Sequence, residues 1–148
     1  MCSSDLEFIL RNLPTMALRY HAHDAAARTL AAWLGQQPRI TQVLHPALPG
    51  APGHAHWAAT CTAAAGLFSV MLDAALAPAQ VDTFVDALRL FKIGYSWGGP
   101  VSLVVPYDLG AMRDDRSALP GHLVRFSIGL EAVADLQADL AQALATLG

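Results

Sequence analysis

The chain has 148 residues, enough for one domain of ordinary size. Hydrophobic types make up 54% and charged types 14%, so there is ample material for a core. Nine Lys+Arg against twelve Asp+Glu leave a net charge of −3 with no basic run, which argues against a surface that tracks nucleic-acid phosphates.

The first long element is expected from Pro14 to Leu34. Met16, Tyr20, His23, Ala27, Leu30 and Leu34 recur at spacings of three and four, the period of one helix face. This helix starts without an N-cap, as if it continued a longer one. Gly35 and Pro38 supply its stop. Ile40–Leu44 reads as a short strand, followed by the loop HPALPGAPGH. His54–Ala59 can form a helical turn. Gly66–Leu72 is a buried strand, and the apolar run around it, 60–72, falls short of the about 20 residues a membrane span needs.

Pro78–Leu90 is the clearest helix, with Val81, Phe84, Val85 and Leu88 forming a full apolar stripe. Phe91-Lys92-Ile93 leads into Gly94-Tyr95-Ser96-Trp97-Gly98-Gly99-Pro100. That stretch is either a turn bearing two core aromatics or the wall of a small-molecule site. Ser102–Val105 is a strand, ended by Pro106. A polar turn, DDRSALPG, precedes the strand Leu123–Ile128. A last helix carries Leu130, Val133, Leu136, Leu140, Leu144 and Leu147 on one face. Short strands among a few helices predict an α+β fold: one mainly antiparallel sheet with helices on one face.

The two cysteines, Cys2 and Cys61, make no disulfide framework and no C-x-x-C, so a reducing cytoplasm is the expected setting. No basic stretch opens the chain as a signal peptide would. Residues 2–6, CSSDL, match what a common sequencing-library adapter encodes. Residues 1–6 are therefore expected to be a cloning or assembly scar, with 7–148 the domain proper.

Among polar residues, His45, His54 and His56 surround the Pro/Gly loop. No carboxylate or thiolate stands at ligand spacing beside them, so packing or solvated-loop roles are expected over metal binding. His23 falls on a helix's apolar face, where a satisfied core histidine is expected. The GGP stretch lacks a following Gly-Lys-Ser/Thr and is no phosphate loop. Asp114-Asp115 reads as solvated surface. Arg125 lies inside an apolar strand, where a guanidinium is costly unless paired. It sits either on the solvent face, opposite Val124, Phe126 and Ile128, or in an anion clamp whose planar fork grips a carboxylate.

Two stretches, YSWGGPVSLVVPY from Tyr95 and HLVRFSIGLEAVADLQADLAQAL from His122, together resemble the C-terminal domain of bacterial cystathionine β-lyases, members of the Cys/Met-metabolism pyridoxal-phosphate enzymes of fold type I. The motif S-x-G-G-x-x-S is met by Ser96, Gly98, Gly99 and Ser102. The motif R-x-S-x-G-x-E is met by Arg125, Ser127, Gly129 and Glu131. TMALRYHAHDAAARTLAAWL, VLHPALPGAPGHAHW and GLFSVML agree in order and spacing, so the resemblance runs from about residue 8 to the end. Tyr95-Ser96-Trp97 is similar to the β-lyase branch. Two departures stand out: Val101 where the family has glutamate before the serine, and Asn12-Leu13-Pro14-Thr15 where it has G-L-R-T.

The resemblance implies that Arg125 binds the substrate α-carboxylate, with Ser96 helping chiefly through its backbone. Tyr95 and Trp97 would line the pocket around the substrate side chain. A bidentate grip fixes rotation about the substrate Cα, and so selects the bond presented for cleavage. It also implies β-elimination of cystathionine to homocysteine, pyruvate and ammonia in a full-length cytoplasmic homotetramer using pyridoxal 5′-phosphate. The covalent lysine would lie in a large N-terminal domain absent here, since the single lysine, Lys92, is not where the family places it. The chain alone is then expected to be inactive and to expose an apolar patch where that domain docks. Alternatives within the family are a γ-lyase, a γ-synthase or a cysteine desulfhydrase. Outside it, the alternative is a non-enzymatic α+β interaction module.

Overall fold

The computed structural model describes residues 3–112 and 120–148. Asp114 and Asp115, with most of the expected polar turn, lie outside the described residues. Five strands form one sheet in the order β1-β2-β5-β4-β3: β1 Ile40–Leu44, β2 Leu67–Leu72, β3 Lys92–Ile93, β4 Leu103–Tyr107 and β5 His122–Ser127. Three of the neighbouring pairs are antiparallel, and β3 joins β4 in parallel. The helices are α1 Ser3–Asn12, α2 Met16–Leu34, α3 His54–Thr60, α4 Pro78–Ala87, α5 Leu109–Met112 and α6 Val133–Leu144. The fold is α+β, as expected.

Alternation along the strands sets the two faces of the sheet. Phe68, Val70 and Leu72 of β2, Val104 of β4, and Val124 and Phe126 of β5 enter one core with α2, α4 and α6. Phe126 is central: its ring lies 5.7 Å from that of Phe68 and 5.4 Å from that of Phe91. The α4 stripe is buried as its spacing predicts, at Val81, Phe84, Val85 and Leu88. The intervening strand residues, Ser69 and Met71, Val105 and Tyr107, Leu123 and Arg125, occupy the opposite face.

Several expected boundaries move, each for a local reason. Pro14 does not open a helix. It sits in a 3-10 turn, Leu13–Thr15, between α1 and α2, where its missing N–H costs no helical hydrogen bond. Only the second half of the predicted α2 face is buried, at His23, Ala27, Leu30 and Leu34. Met16 and Tyr20 are exposed, as is every residue from 5 to 18.

The helix α4 ends at Ala87, three residues early. The buried Asp139 carboxylate on α6 accepts from Arg89 N at 2.9 Å and Leu90 N at 2.8 Å, which draws those amides out of helical bonding. Pro106 does not end β4, which runs on to Tyr107. β3 pairs only with Leu103 and Val104, so β4 is an edge strand beyond them, and a proline there costs no ladder bond. Leu130 precedes α6 and is exposed, whereas Leu147 is buried from a closing 3-10 turn. No described helix is long and apolar enough to cross a membrane.

A second polar group pins α2 to the loops beside β2. Asp24 Oδ2 accepts from Arg28 Nε at 2.9 Å, and the Arg28 guanidinium lies 5.1 Å over the Trp57 ring. Burial works to raise the Asp24 carboxyl, but the Ala64 N–H and Arg28 outweigh it and hold it below the ordinary range. His45 is fully buried, with Nδ1 accepting from Ala47 N at 3.2 Å. His54 Nδ1 is 2.9 Å from Pro46 O, and its ring stacks on Trp57, while His56 is exposed. No group of three His, Cys, Asp or Glu among the described residues is placed to hold a metal.

His23 is a core residue, but it is not satisfied as expected. Its Nε2, like that of His45, is buried without a hydrogen-bond partner among the described residues. Burial, reinforced by Arg19 for His23 and by Arg28 for His45, holds both imidazoles below their ordinary 6.5. The folded state therefore keeps them neutral while the unfolded chain takes up protons. Stability is full above about 6.5 and falls as pH drops from there toward the lower folded-state values. Asp24 adds a second loss, only below the ordinary carboxylate range. Urea midpoints between pH 7.5 and 5 should fall for the wild type and fall less for His45→Asn, which keeps an acceptor for Ala47 N.

Candidate functional site

Arg125 lies mid-strand in β5, directly opposite Ser69 of β2 and Val105 of β4. It is on the face away from the helical core and is half-buried. The solvent-face reading and the clamp reading therefore share one placement. What separates them is how the guanidinium is held. Nη2 donates to Tyr95 O at 2.8 Å, with a longer contact of 3.5 Å to Gly94 O. Nη1 and Nε have no hydrogen-bond partner among the described residues. The cation also sits over the Tyr107 ring, 5.7 Å from its centroid. The fork is thus anchored along one edge with donors left over, which suits a planar anion such as a carboxylate.

The structure brings Arg125 together with the start of the aromatic motif, 30 residues away in sequence. Tyr95 and Trp97 are 70% and 65% exposed, so neither is a core aromatic. Tyr95 meets Tyr107 edge-on at 6.3 Å. Ser96 and Trp97 follow in the same exposed loop and make no hydrogen bond to Arg125. Gly98 turns the chain with a φ of +72°, which favours glycine.

The loop returns to the sheet through a buried polar clasp. Glu131 accepts from Ser102 N at 2.7 Å and from Ser102 Oγ at 2.8 Å. Ser102 Oγ in turn accepts from Gly129 N at 2.8 Å, and Leu130 N donates to Pro100 O at 2.9 Å. Ser102 is fully buried. Ser102, Gly129 and Glu131 thereby join the end of the aromatic loop to the end of β5, the strand that carries Arg125.

A family model described as Cys/Met metabolism PLP-dependent enzyme matches residues 2–145. The chain belongs to this family. It is 41% identical over 141 residues to a cystathionine beta-lyase of Salmonella typhimurium, covering 93% of the chain and 36% of the relative. It is 38% identical over 145 residues to a cystathionine beta-lyase of Escherichia coli K12, covering 95% and 37%. A crystal structure of cystathionine gamma synthase from Xanthomonas oryzae pv. oryzae, in complex with cystathionine, is similar with a TM-score of 0.81 at 31% identity, covering 93% and 37%. The chain spans little more than a third of the length of these relatives and corresponds to the C-terminal region of such enzymes.

The family depends on pyridoxal phosphate. This chain's residues do not fit a covalent site for it. The only lysine, Lys92, is exposed, and its Nζ donates to Arg89 O at 2.8 Å. The candidate site that this part of the Cys/Met family chain presents is the anchored guanidinium of Arg125. Tyr107 and the Ser102–Glu131 clasp were missed as contributors to that site. Tyr107 carries a faint sequence signal, since it alternates with Val105 along β4. The clasp carries one only as motif residues without an assigned role.

Proposed function

We propose that this chain is the substrate-binding part of a pyridoxal-phosphate-dependent carbon–sulfur lyase, and that Arg125 grips the α-carboxylate of its amino-acid substrate. The observation that carries the reading is the guanidinium anchored to the Tyr95 carbonyl through Nη2 alone, with the donors on either side of that nitrogen, Nη1 and Nε, unpartnered among the described residues. A carboxylate taken there would meet a pre-oriented fork, and little side-chain entropy would remain to be lost on binding. Tyr95, whose carbonyl anchors the guanidinium, and Trp97, in the same exposed loop, serve as walls for the substrate side chain, with the Ser96 backbone assisting at the carboxylate. The covalent cofactor chemistry belongs to residues outside this chain, and the chain by itself is inactive.

Within the family we assign β-elimination of L-cystathionine, supported by the identity to cystathionine beta-lyases and by Trp97 in the aromatic motif. The full-length enzyme acts as a cytoplasmic homotetramer on this reading. Product analysis on that enzyme tests the reaction. Pyruvate with homocysteine and ammonia is expected. Cysteine with 2-oxobutanoate would instead mark γ-elimination and overturn the assignment.

A further inference from the structure

Tyr107 stands out as an aromatic that the proposed function leaves unused. Its β4 position pairs with Leu123, two residues from Arg125 on the same face of β5. Diagonal neighbours of this kind lie within reach of long and aromatic side chains. The ring uses that reach twice: the Arg125 guanidinium lies over its face, and the Tyr95 ring meets it edge-on. Tyr107 thus touches both the cation of the clamp and the first aromatic wall.

We propose that Tyr107 is a positioning residue that holds the Arg125 guanidinium and the Tyr95 ring in register, so that the fork is set before a carboxylate arrives. The proposal rests on the carboxylate reading of Arg125. The long Arg side chain has several rotamers, and its hydrogen bonds to Tyr95 O and Gly94 O both leave from Nη2, so the guanidinium can still pivot about that one nitrogen. The negative face of the Tyr107 ring removes that freedom through a cation–π contact. The edge-on pair does the same for Tyr95. Pre-orientation of this kind acts on substrate capture more than on the chemical step.

The test uses the full-length holoenzyme. Tyr107→Leu keeps an apolar side chain in the strand but removes the ring, and should raise KM for the amino-acid substrate about tenfold with kcat nearly unchanged. Tyr107→Phe keeps the ring and should restore the wild-type KM. With Arg125→Ala already in place, Tyr107→Leu should raise KM far less, because most of its effect passes through the guanidinium and only the Tyr95 contact remains. An unchanged KM in Tyr107→Leu overturns the proposal, as does an equal rise in both backgrounds. A Tyr107→Phe variant as impaired as Tyr107→Leu also overturns it, because the hydroxyl would then be the active part. A failure of the carboxylate reading is separate: Arg125→Ala alone would leave KM unaltered.

Discussion

Arg125→Ala in the full-length enzyme is expected to lower kcat/KM for the amino-acid substrate by about 10²- to 10³-fold, as loss of two charge-assisted hydrogen bonds implies. The fold should survive, because Arg125 lies outside the helical core and its anchoring partners are backbone carbonyls of an exposed loop. Arg125→Lys should recover only a small part. An ammonium retains the charge but cannot present two parallel donors while keeping the bond to Tyr95 O. Steady-state kinetics on the three proteins, with urea midpoints as a control for folding, checks the result. A lysine variant close to wild type would mean that charge alone suffices and that the fork plays no part.

A large loss of stability is expected from Gly129→Ala. A methyl there would clash hard with Pro100 O and Glu131 Oε2, and would stand 2.7 Å from Ser102 N. Two of these are backbone atoms, so no rotamer change can clear them. Either β5 and the aromatic loop separate or the clasp opens, leaving the buried Ser102 and the half-buried Glu131 without these partners. Overpacking and unpaired buried groups together imply a cost of roughly 3 kcal/mol or more. A fall in the urea midpoint at unchanged slope would report it. Because the clasp joins the two segments that meet at Arg125, the substrate KM should worsen in the same variant. A neutral Gly129→Ala would show that the end of β5 moves freely.

The apolar patterns that were easiest to read in the sequence survive in the structure. Val81, Phe84, Val85 and Leu88 repeat at helical spacing, and burial follows from that spacing alone. β2 and β5 are short, apolar and bounded by turn residues. The missed features all depend on partners far along the chain. The end of α4 is decided by Asp139, 50 residues on, whose carboxylate competes for the amides of Arg89 and Leu90. The persistence of β4 through Pro106 depends on how far β3 reaches beside it. Half of the α2 stripe is exposed because nothing among the described residues covers residues 5 to 18.

The site divides in the same way. Arg125 is conspicuous as a cation in an apolar strand, and Tyr95-Ser96-Trp97 as an aromatic cluster beside glycines. That the Tyr95 carbonyl anchors the guanidinium follows only from the strand order, which sets β4 between β3 and β5. Tyr107 needs finer knowledge still: the register that makes it the diagonal neighbour of Arg125.

The most direct test of Arg125 as a carboxylate clamp compares two ligands on the full-length holoenzyme: an amino-acid substrate, and the amine that lacks only its α-carboxylate. Binding of each is measured to the wild type and to Arg125→Ala. The wild type should prefer the amino acid by about 10² or more, and the preference should collapse toward unity in Arg125→Ala while the amine binds both proteins alike. A preference that persists undiminished in Arg125→Ala would contradict the account, because another group would then be holding the carboxylate.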